Sequence, residues 1–150
     1  MHFLMLYASG TGNTELMAEA MVAHLNNHQH EVVTKTFDFD PIDVKELLQY
    51  DAVLIGTHTW DDGDLPYEVE DFYEELEDVD ITGRVFGVFG SADSFYDTYG
   101  GAVDLLADHL NNLGAAPPKQ LKVDLEPDRE DIVHCEQFVD VVVGLVGETA

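Results

Sequence analysis

The residues best equipped for chemistry are Ser9-Gly10-Thr11-Gly12-Asn13-Thr14, set between the apolar run Phe3-Leu4-Met5-Leu6-Tyr7 and an amphipathic stretch that starts near Glu15. Glycines let a backbone approach a ligand closely and hydroxyls donate hydrogen bonds. A helix beginning here would aim unpaired N–H groups and its positive dipole end at an anion. This is the composition of a phosphate cradle. No lysine or arginine precedes Lys35, and neither the Gly-Lys-Ser/Thr ending of a nucleoside triphosphate loop nor the G-x-G-x-x-G of a dinucleotide fold is present. The chemistry left is the capture of one terminal phosphate monoester by neutral donors.

Such a cradle has to be carried by a strand and a helix, and the chain supplies both repeatedly. Apolar runs suited to buried parallel strands recur at 3–7, 31–36, 52–57, 85–90 and 119–124. Helical spacing appears at about 13–27, 43–49, 66–76, 101–113 and 129–146. In the first of these Leu16, Met17, Ala20, Met21, His24 and Leu25 share the inward face. The alternation predicts a three-layer α/β/α sandwich around a five-stranded parallel sheet, with right-handed crossovers. No repeat, low-complexity tract or linker divides the chain, so residues 1–150 are expected to form a single domain. Ligands of such sheets bind beyond the carboxyl ends of the strands, where the cradle leaves the first one.

Two further segments leave the same edge. Thr57-His58-Thr59-Trp60-Asp61-Asp62-Gly63-Asp64 follows the third strand, and Gly90-Ser91-Ala92-Asp93-Ser94-Phe95-Tyr96 follows the fourth. Trp60 and Tyr96 are large aromatics among small polar residues, placed to sandwich a flat ring whose polar edge meets backbone groups of the turns. The alternative is that Trp60 anchors its loop and Tyr96 staples a helix entry.

In these three segments the chain resembles the short-chain flavodoxins, over its whole length. The cradle matches the family's Ser/Thr-x-Thr-Gly-x-Thr pattern. Thr57 to Asp64 matches its tryptophan loop, and Gly90 to Tyr96 followed by Gly100-Gly101-Ala102-Val103-Asp104 matches the loop with the stacking tyrosine and the next helix. The resemblance implies strand order 2-1-3-4-5 and non-covalent FMN. Ser9, Thr11, Asn13 and Thr14, with the backbone N–H groups of residues 10–14, Gly10 and Gly12 among them, would hold the phosphate. Trp60 would cover the inner ring face and Tyr96 the outer, with Asp93 at the pyrimidine edge. Thr57, His58, Thr59, Asp61, Gly63, Ser91 and Ala92 would complete the ring-side loops. Protonation of His58 below about pH 6.5 would favour the anionic reduced ring; the alternative is a solvated loop residue.

The implied function is a low-potential, single-electron carrier that needs no base, nucleophile or metal of its own. Its partners would be basic-surfaced redox proteins, such as a flavodoxin/ferredoxin NADP reductase, and low-potential acceptor enzymes. The enzymatic alternative is an FMN-dependent NAD(P)H or quinone reductase of the same fold. It is disfavoured by the short chain and by an aromatic lid on the face where hydride must arrive. A two-component receiver would need an acidic pair after the first strand and an aspartate ending the third, where Ala8-Ser9 and Gly56-Thr57 stand.

Composition agrees with this reading. A formal charge of −25, from 31 acids against six Lys plus Arg, repels nucleic acids and anionic membranes, and favours either a basic partner or general solvation and salt adaptation. The acids Glu68, Glu70, Asp71, Glu74, Glu75, Glu77 and Asp78 border the ring-side loops and are the candidates for steering a cationic partner. No apolar run is long enough to span a membrane, and Met1-His2-Phe3 enters a strand without a basic leader, so a cytoplasmic monomer is expected. Cys135 is the sole cysteine. His24, His28, His30 and His109 have no partners at metal-ligand spacing, and Asp61-Asp62-Gly63-Asp64 lacks the spacing of a calcium loop.

Two positions depart from the family pattern, Ala92 and Asp61, where glycine is usual. The resemblance implies that the peptide aligned with Trp60-Asp61 flips so that its carbonyl accepts from reduced flavin N5, in a turn whose positive φ costs a residue with a Cβ on the order of 1 kcal/mol. Replacing Asp61 by Gly is therefore expected to raise the oxidised/semiquinone potential. Spectroelectrochemical titration checks this, and an unchanged or lower potential refutes it.

Overall fold

Uninterrupted apolar sequence with no polar alternation forms a strand only if both faces are covered, and three strands meet that condition. The structure, a computed structural model, describes residues 1–8, 12–58, 65–92 and 100–149. Strand β1 (His2–Tyr7), β3 (Ala52–Gly56) and β4 (Val85–Ala92) are almost wholly buried, whereas β2 (Glu31–Thr36) and β5 (Lys119–Asp124) are largely exposed. The sheet is parallel throughout, in the order β2-β1-β3-β4-β5, so the two exposed strands are its edges.

Side chains alternate across the sheet with period two. Phe3, Met5, Leu54 and Phe89 face one side, packed with Met17, Met21 and Leu25 of helix α1 (Asn13–Asn27) and Phe138, Val139 and Val142 of α4 (Arg129–Thr149). Leu4, Leu6, Val53, Ile55, Phe86 and Val88 face the other, against Phe72 of α2 (Tyr67–Glu75) and Val103, Leu106 and Leu110 of α3 (Gly101–Asn112). The two apolar layers make the three-layer sandwich. Helix α4 opens on a reciprocal cap, Asp128 N–H donating to Asp131 and Asp131 N–H to Asp128 Oδ1 at 2.8 Å. The second of these bonds holds the Asp128 carboxyl below its ordinary range.

Several local expectations shift. The segment expected as a helix at 43–49 is a 3-10 turn, Val44–Gln49, opened by Asp43, whose side chain accepts from Lys45 N–H at 2.9 Å. In α1 the core face carries Ala18, and Leu16 is 40% exposed, because β1 and α4 meet the helix one position round from the apolar count. Strand β4 continues to Ala92, since Ser91 and Ala92 pair with Val123 and Asp124. His24 has carboxylate partners after all: Nδ1 lies 3.3 Å from Glu136 and Nε2 2.8 Å from Asp140, joining α1 to α4 across sequence too distant to reveal it. Among the described residues no group of three or more His, Cys, Asp or Glu could hold a metal ion, and no helix is long and apolar enough to cross a membrane.

Helix α1 ends in a Schellman turn, with His30 N–H on the Leu25 carbonyl and Gln29 N–H on Asn26, both at 3.0 Å. The turn places Gln29 at φ 68°, a left-handed conformation that a Cβ disfavours. Gln29→Gly is expected to stabilise the protein by about 0.5–1 kcal/mol, read from the midpoint of urea unfolding at unchanged slope. A loss of stability would contradict this account of the turn.

Candidate functional site

Parallel strands all end on one edge, and the seven described site residues gather there. Gly12, Asn13 and Thr14 open α1, Thr57 and His58 follow β3, and Ser91 and Ala92 end β4. Ser9, Gly10, Thr11, Thr59, Trp60, Asp61, Gly63, Asp93 and Tyr96 lie outside the described residues.

Gly12 starts the helix from a left-handed conformation, φ 91° and ψ −11°, and its carbonyl accepts the first intrahelical bond from Leu16 N–H at 3.1 Å. A residue with a Cβ would be strained at this φ. Glycine also brings no capping side chain, so the positive end of α1 is not satisfied by the residue that begins it.

Thr14 is wholly buried and crosses to β4. Its Oγ1 accepts from Ser91 N–H at 3.3 Å and lies 3.2 Å from Ser91 Oγ, so two hydroxyls 77 residues apart in sequence hold the start of the helix against the end of the strand. Strand β3 is locked between its neighbours. Ala8 N–H donates to Gly56 O at 3.0 Å and Thr57 N–H to Phe89 O at 2.9 Å. Gly90 is required at this junction, because a Cβ there would run into the Thr57 carbonyl.

Thr57, also wholly buried, donates its hydroxyl to the His58 carbonyl at 3.1 Å. The His58 ring is half-buried with Nδ1 3.2 Å from the Ala8 carbonyl. A carbonyl only accepts, so Nδ1 carries a hydrogen, and His58 is tied to Ala8, just after β1. Beside the cradle the Tyr7 hydroxyl donates to Glu15 at 3.3 Å. Burial first, then the charges of Glu15, Glu19 and Asp38, push this phenol above its ordinary pKa.

The donor set fits a phosphate monoester. It offers a helix start whose N-cap is a left-handed glycine, and hydroxyls fixed by each other, within a strongly acidic chain that would gain from placing an anion only at a positive helix end. The Flavodoxin family model matches residues 5–138. The chain belongs to the flavodoxin family. It is an FMN-binding electron carrier. This flavodoxin is 39% identical over 137 residues to "Probable flavodoxin 1" of Bacillus subtilis, covering 90% of this chain and 85% of that one. It is 36% identical to the flavodoxin of Maridesulfovibrio salexigens, over 87% of this chain and 90% of the other. Oxidised flavodoxin 1 of Bacillus cereus superposes with a TM-score of 0.90 at 39% identity, covering 96% of this chain and 98% of that one.

No residue of β5 or the turn after it is conspicuous in the sequence as a site element, yet two reach the site's borders. Leu125 N–H donates to Ala92 O at 2.8 Å, and Lys122 reaches Asp104 in the first turn of α3. The only sequence signals are a lysine in an edge strand and the pair Gly100-Gly101 before a helix.

The Thr14 to Ser91 contact has a measurable cost. Thr14→Val removes the acceptor of a buried N–H and is expected to destabilise the protein by about 1–3 kcal/mol. Urea unfolding without added flavin separates this structural loss from any effect on binding, and a change under about 0.5 kcal/mol would contradict it.

Proposed function

We propose that residues 9–14 hold the FMN phosphate, that Trp60 and Tyr96 cover the two ring faces, and that Asp93 meets the pyrimidine edge. The observation that carries this reading is the left-handed glycine start of α1, fixed to β4 through Thr14 and Ser91. Bound FMN supplies the redox chemistry, and the protein contributes binding, orientation and electrostatics. The acidic surroundings penalise added negative charge, which makes the reduced cofactor a strong electron donor.

Flavodoxins act as redox partners of reductases and acceptor enzymes. For this chain the partners are basic-surfaced proteins, a flavodoxin/ferredoxin NADP reductase on the donor side and low-potential enzymes on the acceptor side, met by a cytoplasmic monomer. Helix α2 follows the tryptophan loop directly, and Glu70, Asp71, Glu74, Glu75, Glu77 and Asp78 on it and its 3-10 extension are exposed. They form the surface that steers a cationic partner. A reductase activity of its own is not favoured: the near end-to-end match with flavodoxin 1 of Bacillus cereus leaves little chain for a nicotinamide pocket.

Calorimetry on the apoprotein tests the cradle. FMN is expected to bind at least about a hundredfold more tightly than riboflavin, the equivalent of two charge-assisted hydrogen bonds of about 1.5 kcal/mol each. Equal affinities would overturn the assignment of residues 9–14. Rapid NAD(P)H oxidation by the purified holoprotein alone would favour the reductase instead.

A further inference from the structure

The segment 93–99 has two stems, Ala92 at the end of β4 and Gly100 at the start of α3, and both rest on the last residues of β5 and the one that follows. At the first stem Ala92 pairs with Asp124, and Leu125 N–H donates to the Ala92 carbonyl at 2.8 Å. Leu125 makes this bond from φ 58°, a conformation that costs a residue with a Cβ about 1–2 kcal/mol, while its side chain stays 53% exposed. The bond is the last of the parallel ladder between β4 and β5, and the chain turns away at Leu125 directly after it.

At the second stem Gly100, at φ 66°, begins α3, with Val103 N–H on its carbonyl at 3.0 Å. The aliphatic part of Lys122 lies where a Gly100 side chain would stand: an added Cβ would come within 2.5 Å of Lys122 Cδ and 2.8 Å of Cε. The ammonium then reaches Asp104 Oδ2 at 2.7 Å, and the lysine side chain is only 25% exposed. Gly100 thus provides a seat, Asp104 an anchor, and Lys122 crosses from one to the other.

We infer that the carboxyl end of β5 is a clip that sets the spacing of the two stems, and that Lys122 is a positioning residue for FMN, acting through Gly100 and Asp104. The inference rests on the ring-side assignment of segment 93–99 in the proposed function. Fixing both ends of a ring-covering segment before binding reduces the ordering cost paid on binding. Its effect falls on the ring half of the ligand, so it applies to riboflavin as well as to FMN.

The charges make the test decisive, because Lys122 and Asp104 have opposite signs. If they act only as charges near an anionic ligand, Lys122→Met weakens FMN binding, Asp104→Asn strengthens it, and the two effects add. If they act as a clip, both substitutions weaken FMN and riboflavin by a similar factor, about three- to tenfold. The double variant is then no worse than either single one, and Lys122→Arg restores most of the loss. Fluorescence titration of each apoprotein reads these affinities, and urea unfolding confirms that each variant is folded. Gly100→Ala, which leaves both charges in place, is expected to weaken binding in the same way. Opposite signs for the two single variants, or affinities unchanged in both, overturn the clip. Should Lys122→Met not fold, the sign of the Asp104→Asn effect decides alone. Failure of the wild-type protein to bind FMN would instead overturn the ring-side assignment itself.

Discussion

A buried pair of hydroxyls, Thr14 and Ser91, holds the positive end of α1 against the end of β4, and the site's geometry follows from that contact. Among the described residues the buried polar side chains are Thr14, Thr57 and Ser91, all at the carboxyl edge of the sheet. Burying a hydroxyl is costly without a partner, and each of these has one. The interior is otherwise apolar, so polar burial is confined to the border where a ligand must meet the sheet. There it supplies fixed orientation, which apolar packing alone does not.

The charge balance constrains how that border can work. A chain at −25 has few cations to spare, and the two that are partly buried each meet a carboxylate, Lys35 that of Glu46 and Lys122 that of Asp104, at 2.7 Å. An anion is therefore best met by a helix end, whose partial charge needs no lysine and leaves the surface acidic. The same acidity would repel a phosphate elsewhere on the molecule, and it opposes added negative charge on a bound cofactor. Tyr7 beside the cradle has its phenol raised above the ordinary range first by burial and then by the charges of Glu15, Glu19 and Asp38.

Most of the fold was legible because its signals are local. The unbroken run Phe3 to Leu6 reads as a strand covered on both faces, and the apolar spacing of α1 and α3 gives their bounds to within a residue. What the sequence misplaces depends on distant neighbours. The length of β4 is set by its register with β5, the inward choice of Ala18 over Leu16 by the position of α4, and the ring contacts of His24 by carboxylates more than a hundred residues away. The 3-10 turn at Val44–Gln49 is a different case, being simply too short for an α-helix to develop.

The site divides along the same line. Gly12, Thr14, Thr57 and Ser91 belong to segments whose composition announces ligand contact, since glycines and hydroxyls between a strand and a helix have few other uses. Lys122 and Leu125 carry no such mark. A lysine on an edge strand reads as protection against edge pairing, and an exposed leucine reads as nothing at all. Their roles emerge only when the seat at Gly100, the anchor at Asp104 and the carbonyl of Ala92 are brought beside them. Residues that touch a ligand must have suitable chemistry and so are visible in sequence, whereas residues that set the spacing of a loop need only the right length and place.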